Sequence, residues 1–175
     1  MRNKCLYLFF IGVLITPIFV FSQRTEKYNS VYESYFKAEE LYSHLQFGAA
    51  KKEFRDFVNA CANPNDPLYQ KALYYEGVSA LELYNSDAIP LLMEYNKLYP
   101  ENIHRSLISF KIGRYFFHDE TYDDAQLWFE KISASDLDSS YREEYYFKLG
   151  YCALQNEIKE LAIKTFRENI NGKSQ

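Results

Sequence analysis

Glycine, proline, cysteine and tryptophan are scarce in this sequence of 175 residues, which contains six, five, three and one of them respectively. So few glycines and prolines argue against a loop-rich β-sandwich or a low-complexity chain. Three cysteines are too few for a small domain held together by disulfides. The formal net charge of −4 leaves no surplus of basic residues, so nucleic acid is not expected as a partner.

Apolar and aromatic residues are plentiful. The apolar fraction is 47%, and 17 Tyr and 14 Phe make the chain rich in aromatic rings. A chain of this composition can bury a core, which excludes disorder as its main state. The length fits one domain or an array of small units.

The first 23 residues have the pattern of an export signal and are set aside from the fold. A short basic start is followed by an uncharged apolar run over residues 6–21. We expect a secretory signal peptide, cleaved near Ser22 or Gln23, followed by a mature domain of residues 24–175. The alternative is an uncleaved membrane anchor, although the run is shorter than the roughly 20 residues that span a bilayer.

The second half of the chain repeats with a period of 37 residues. Three pairs of identical residues have this separation: Gly113 and Gly150, Ala125 and Ala162, and Phe129 and Phe166. The same frame extends back through Ala88 to Ala50, with intervals of 37 and 38 residues. Repeats of this length are typical of stacked structural units. Four units are predicted, covering residues 28–62, 67–100, 102–135 and 138–170.

Each unit is predicted to contain two helices. Apolar residues recur at separations of three and four, and no segment of the mature part alternates in the way of a strand. Asp66 before Pro67 is a helix start, and Pro100 is a helix stop. The expected class is therefore all-α.

Glycine recurs at one position of the first helix, at Gly77, Gly113 and Gly150. A glycine inside a helix costs about 1 kcal/mol relative to alanine, so its recurrence indicates a packing requirement. We expect it to let the second helix of the unit approach closely, with the small alanine of that helix facing it. The phenylalanine four residues later is expected to fill the gap toward the next unit.

These positions resemble the tetratricopeptide repeat (TPR), whose helices carry W-x2-L-G-x2-Y and A-x3-F. The third unit matches it at Ile112, Gly113, Phe116, Ala125 and Phe129, and the fourth at Tyr146, Leu149, Gly150, Ala162 and Phe166. The chain departs from the family in its missing Trp and in a period of 37 rather than 34. The resemblance implies a right-handed α-solenoid of about four helix-turn-helix repeats.

The longer period resembles that of envelope repeat proteins of Gram-negative bacteria. The aromatic helices and the Phe-Ser-Gln end of the signal segment are similar to exported repeat proteins of the Bacteroidetes. This similarity implies a non-catalytic scaffold of the periplasm or outer membrane that binds a peptide or protein. Two alternatives are the N-terminal regulatory or cargo-binding part of a larger exported protein, and a self-associating repeat assembly. Contact with the membrane is expected only through an uncleaved first segment.

The sequence carries no pattern of a catalytic, metal or cofactor site. His44, His104 and His118 lie in different units, and no zinc, phosphate-loop or calcium-loop spacing is present. We therefore expect no enzyme activity, no cofactor and no bound metal. An acidic cluster between the helices of unit three is either a cation site or a solvated turn whose acids favour a helix start, and we prefer the turn. Its members are Asp119, Glu120, Asp123 and Asp124.

The two cysteines of the mature part belong to the first and the last unit. Helix pairs stack about 8 to 10 Å apart, and a disulfide needs Cα atoms within about 7 Å. We expect no bridge between Cys61 and Cys152. Cys152 is expected to be a small core residue, and Cys61 to be the better candidate for a free or intermolecular thiol.

A partner is expected to bind along the first helix of each unit, which lines the concave face of such an array. The residue after the glycine position and those one turn to either side should point into this groove. Arg114 is the most informative of them, because a charge beside a core glycine favours an open surface. The predicted groove residues are Tyr35, Glu39, Tyr42, Tyr74, Val78, Leu81, Phe110, Arg114, Phe117, Phe147, Tyr151 and Leu154.

Overall fold

A computed structural model of the protein describes residues 30–172, so the predicted signal segment and its cleavage site lie outside the described residues. Residues 30–172 form α-helices and one short 3₁₀ helix without any β-strand, which confirms the all-α class. The helices are α1 (30–43), α2 (Phe47–Ala60), α3 (Pro67–Glu82), α4 (Ala88–Leu98), α5 (Arg105–His118), α6 (Tyr122–Phe129), α7 (Ser139–Gln155) and α8 (Lys159–Gly172). The 3₁₀ helix Ala134–Asp136 lies between α6 and α7.

The predicted stop and start signals act where the sequence places them. The Asp66 carboxylate accepts the backbone N–H of Leu68 at 2.8 Å, and α3 begins at Pro67, where the missing N–H leaves no bond unmade. Helix α4 ends at Leu98, two residues before Pro100.

Residues 30–76 and residues 77–172 form two compact units, and α3 contributes to both. The core of the N-terminal unit is aromatic. Tyr35 of α1 lies edge-on to Phe54 and Phe57 of α2, with ring centroids 5.8 and 5.3 Å apart, and all three side chains are fully buried. The buried Glu76 carboxylate is paired with Arg55 at 2.6 Å, which offsets the cost of burying its charge.

The C-terminal unit is built from helices that pack on their neighbours in the chain. Helix α5 packs on α6, α6 on α7 and α7 on α8, and α5 also contacts α7. Phe129 of α6 is fully buried at the centre of this core. Its ring lies 6.1 Å from that of Phe110 on α5 and 6.2 Å from that of Tyr145 on α7, so one side chain joins three helices.

Each recurring glycine faces a large side chain of the second helix in its own pair. A Cβ built on Gly113 would lie 2.5 Å from the Phe129 ring, which is closer than real Cβ contacts. Gly77 meets Leu92 at 2.7 Å and Gly150 meets Phe166 at 2.8 Å in the same way. The expectation that the alanine of the second helix faces the glycine is therefore wrong, because the larger side chain one turn later occupies that place.

The turn inside each helix pair has one backbone geometry. A non-glycine residue with positive φ follows the first helix in all four pairs, 36 to 39 residues apart: Leu45, Tyr84, Glu120 and Glu157. In each turn the next residue donates its N–H to the carbonyl five residues back, at 2.7–3.0 Å. This hydrogen bond is typical of the Schellman motif, in which glycine usually occupies the residue with positive φ. Because none of these four residues is a glycine, the sequence did not predict the motif.

Replacing Phe129 tests the three-helix contact. The Phe129→Ala change is expected to lower the free energy of unfolding by about 3–5 kcal/mol, because it opens a cavity bordered by α5 and α7. Leu127 lies on the same helix and is 58% exposed, so Leu127→Ala serves as the matched control and should cost less than about 0.5 kcal/mol. Equal losses in urea titrations of the two variants would contradict the packing described for Phe129.

Replacing Glu120 tests the left-handed turns. The Glu120→Gly change should raise the free energy of unfolding by about 0.5–1 kcal/mol, because glycine adopts a φ of 58° without the clash that a Cβ makes. Glu120→Ala removes the same charge and keeps the Cβ, so it should not give this gain. Thermal or urea unfolding measures both variants, and equal stabilisation of the Gly and Ala variants would show that the loss of charge, and not the backbone geometry, decides the effect.

Candidate functional site

Within residues 30–172, no group of three or more His, Cys, Asp or Glu side chains is placed to hold a metal ion. Cys61 and Cys152 are both free thiols. Cys152 is fully buried, as expected of a core residue, and burial raises the pKa of its thiol to about 12. A thiol in this state remains protonated at neutral pH and is a poor nucleophile.

The structure divides the predicted groove residues into buried and accessible sets. Five of them are buried, and the expectation that they line a groove is wrong: Tyr35, Tyr74, Val78, Leu81 and Phe110. Tyr35 and Phe110 precede the glycine position by three residues, which places them on the stripe that packs on the second helix. Val78 and Leu81 lie in residues 76–81, all of which are buried, so every face of that stretch of α3 is covered.

In the N-terminal unit, the predicted residues Glu39 and Tyr42 line one cavity, which we call the Glu39 cavity. Its walls are Glu39, Tyr42, Ser43, Phe54 and Tyr75, and its volume is about 220 Å³. The buried Tyr35 lies beside it and donates its hydroxyl to the Glu39 carboxylate at 2.7 Å. Burial, together with this carboxylate, raises the pKa of Tyr35, which keeps the hydroxyl a donor.

In the C-terminal unit, four of the five remaining predicted residues lie together: Arg114, Phe117, Phe147 and Tyr151. The fifth is Leu154, which is 51% exposed. The rings of Phe117 and Tyr151 are 5.5 Å apart, and those of Phe147 and Tyr151 are 6.2 Å apart. Three further residues complete the surface that we call the Arg114 patch. It consists of Arg114, Phe117, Tyr122, Glu144, Phe147, Lys148 and Tyr151.

The charges of the Arg114 patch are unbalanced. Arg114 and Lys148 share the single Glu144 carboxylate, at 3.0 and 3.7 Å. The Lys148 ammonium also lies 3.9 Å from the centre of the Phe117 ring, a cation–π distance that holds it against the aromatic surface. Within the patch two cations face one carboxylate, which favours an acidic group beside Arg114 and Lys148. Glu143, which lines a depression together with Glu144, adds a second carboxylate at the border of the patch. The Arg114 side chain is 42% exposed and can therefore be reached from solvent.

Arg114 also borders a second, smaller depression. Lys111 and Glu82 form an ion pair of 2.7 Å beside it, and the space amounts to about 30 Å³. That volume has room for only a few waters, so the depression is small for a side chain of a partner. We therefore expect contacts with a partner on the aromatic side of Arg114.

Sequence reasoning missed Tyr122, Glu144 and Lys148. The last two form a series with Tyr151 at separations of four and three, which places all three on one face of α7. That spacing was available in the sequence and would have found the charged half of the patch. Tyr122 starts α6, and only the packing of α6 between α5 and α7 brings its ring within 5.4 Å of Tyr151.

None of the helices within residues 30–172 is long and apolar enough to cross a lipid bilayer. Comparisons of the chain with protein-family models, with curated proteins and with solved structures gave no match.

Proposed function

We propose that this chain is an exported, non-catalytic scaffold of TPR-like repeats, stacked as a right-handed α-solenoid, which binds a protein or peptide segment. The recurrence of the glycine contact and of the left-handed turn, both at intervals of 36 to 39 residues, supports a repeat architecture. The export pattern of the first 23 residues supports a location in the periplasm or at the outer membrane.

The Arg114 patch is the observation that carries the binding proposal. Tyrosine, phenylalanine and arginine are side chains on which binding energy often concentrates, because they offer rigid area and a polar group together. Here the rings lie beside two cations that share one carboxylate. The segment that fits this surface carries an acidic side chain next to an aromatic or aliphatic one.

Selection from a randomised peptide library, with the full chain as bait, tests the proposal. Peptides with Asp or Glu beside apolar residues should be enriched, and their affinity should fall as salt is raised. Arg114→Ala should reduce that affinity at least tenfold because it removes the charge-assisted hydrogen bond to the acidic group. Its effect on stability should stay below about 1 kcal/mol, the usual range of an exposed ion pair.

Arg167→Ala is the matched control, because Arg167 is an exposed arginine of the same unit. It should leave both the enrichment and the affinity unchanged. The proposal is wrong if the selected peptides bind the Arg114→Ala and Arg167→Ala variants equally. It is also wrong if Arg114→Ala unfolds the protein, because the arginine would then be part of the core.

A further inference from the structure

The Glu39 cavity in the N-terminal unit has walls of a different chemistry from the Arg114 patch. Its volume of about 220 Å³ is several times the roughly 30 Å³ that one water occupies in the liquid. A small organic group therefore fits inside it. The cavity is formed by the end of α1 together with one residue each from α2 and α3.

Three aromatic rings account for most of its lining. The Tyr42 and Tyr75 rings meet edge to face with centroids 4.9 Å apart. Phe54 stacks on Tyr75 at 5.6 Å, with an angle of 17° between the ring planes. The faces of aromatic rings carry partial negative charge, and rings grouped around a small cavity attract a cation.

The polar group of the cavity is the Glu39 carboxylate. The hydroxyl of the fully buried Tyr35 holds one of its oxygens at 2.7 Å, which fixes the carboxylate in place. Within residues 30–76, no lysine or arginine lies within ion-pair distance of it. An ionised carboxylate accepts about four hydrogen bonds or contacts, so the bond from Tyr35 leaves most of its capacity free.

We propose that the Glu39 cavity binds a quaternary ammonium group. Aromatic rings together with one carboxylate supply the two attractions that such a cation uses, its charge and its apolar methyl surface. A primary ammonium suits the cavity less well, because its three N–H donors each need an acceptor. The Ser43 hydroxyl donates to the Glu40 carbonyl at 2.7 Å and keeps its acceptor lone pairs, so the preference for a quaternary group rests on the three rings, which match methyl groups better than N–H donors.

The other helix pairs do not repeat this chemistry. The residue after the glycine position is Glu39 in the first pair, where alanine takes the place of glycine, but Val78, Arg114 and Tyr151 in the next three. Only the first pair therefore places a carboxylate there. Because no residue of the Arg114 patch belongs to the Glu39 cavity, the two proposals can fail separately.

Titration of the full chain with choline, followed by NMR, tests the inference. Choline carries a trimethylammonium group, and 3,3-dimethylbutan-1-ol has the same shape without the charge. Choline should shift the signals of Tyr42 and Tyr75 in a saturable manner and bind at least about tenfold more tightly than the alcohol, given the usual strength of a desolvated cation–π contact. Equal affinities, or no saturable shift, would overturn the proposal.

Glu39→Gln should reduce the affinity for choline by about tenfold or more and leave the weak binding of the alcohol unchanged. Glu33→Gln is the matched control, since Glu33 is an exposed acid of the same helix, and it should bind choline like the parent chain. An equal effect of the two changes would mean that general charge attracts the cation, and the cavity would then not be its site.

Two further ligands identify the source of the ammonium group. A blocked peptide that contains trimethyllysine presents the group on a protein, whereas choline presents it on a small molecule or headgroup. Tighter binding of the peptide indicates a methylated protein, and tighter binding of choline indicates the small molecule. The same peptide with unmodified lysine should bind at least about tenfold more weakly than the trimethylated one, and equal binding of the two would overturn the choice of a quaternary ammonium.

Discussion

The close contact between a helix glycine and the large side chain of its partner helix is the constraint on which the rest of this structure depends. At Gly113 the Phe129 ring fills the space that a Cβ would occupy, and Gly150 and Phe166 make the same contact. The glycine costs helix stability, and the burial of a whole aromatic ring offsets that cost. The two helices are thereby brought together along one defined stripe.

That stripe accounts for part of the division between covered and accessible residues of the first helix. Tyr35 and Phe110, three residues before the alanine or glycine of their helix, lie on the stripe and pack on the second helix. Glu39 and Arg114, one residue after it, are turned out of the stripe and remain accessible, whereas Val78 in the same position of α3 is buried. The two candidate surfaces follow from this division, one with a carboxylate among rings and one with cations beside rings.

Regular features of the chain were predictable, because they depend on local periodicity. The all-α class, the glycine positions, the helix start at Asp66 and the helix stop at Pro100 follow from spacing and from backbone chemistry. The left-handed residues at the turns were not predictable, since Leu45 and Tyr84 carry no preference for positive φ. They adopt it because the following residue completes the Schellman hydrogen bond.

The candidate surfaces were only partly predictable for a similar reason. Helical spacing identifies the residues near a groove, but it does not tell whether a neighbouring helix covers them. Phe110 and Phe147 are 37 residues apart in the repeat, yet Phe110 is fully buried beside Tyr141 of α7 whereas Phe147 is 50% exposed. Tertiary contacts decide between the two outcomes, and these are absent from a periodic pattern.

The NMR chemical shifts of the glycine α protons test the central contact most directly. An aromatic ring shields protons over its face and deshields protons at its edge. The α protons of Gly113 and Gly150, which lie against a ring, should therefore show ring-current shifts, whereas those of Gly77, which faces Leu92, should not. Phe129→Leu should return Gly113 to the Gly77 pattern and leave Gly150 unchanged. Ordinary helix shifts at all three glycines, unaltered by Phe129→Leu, would contradict the contact and the division of faces that follows from it.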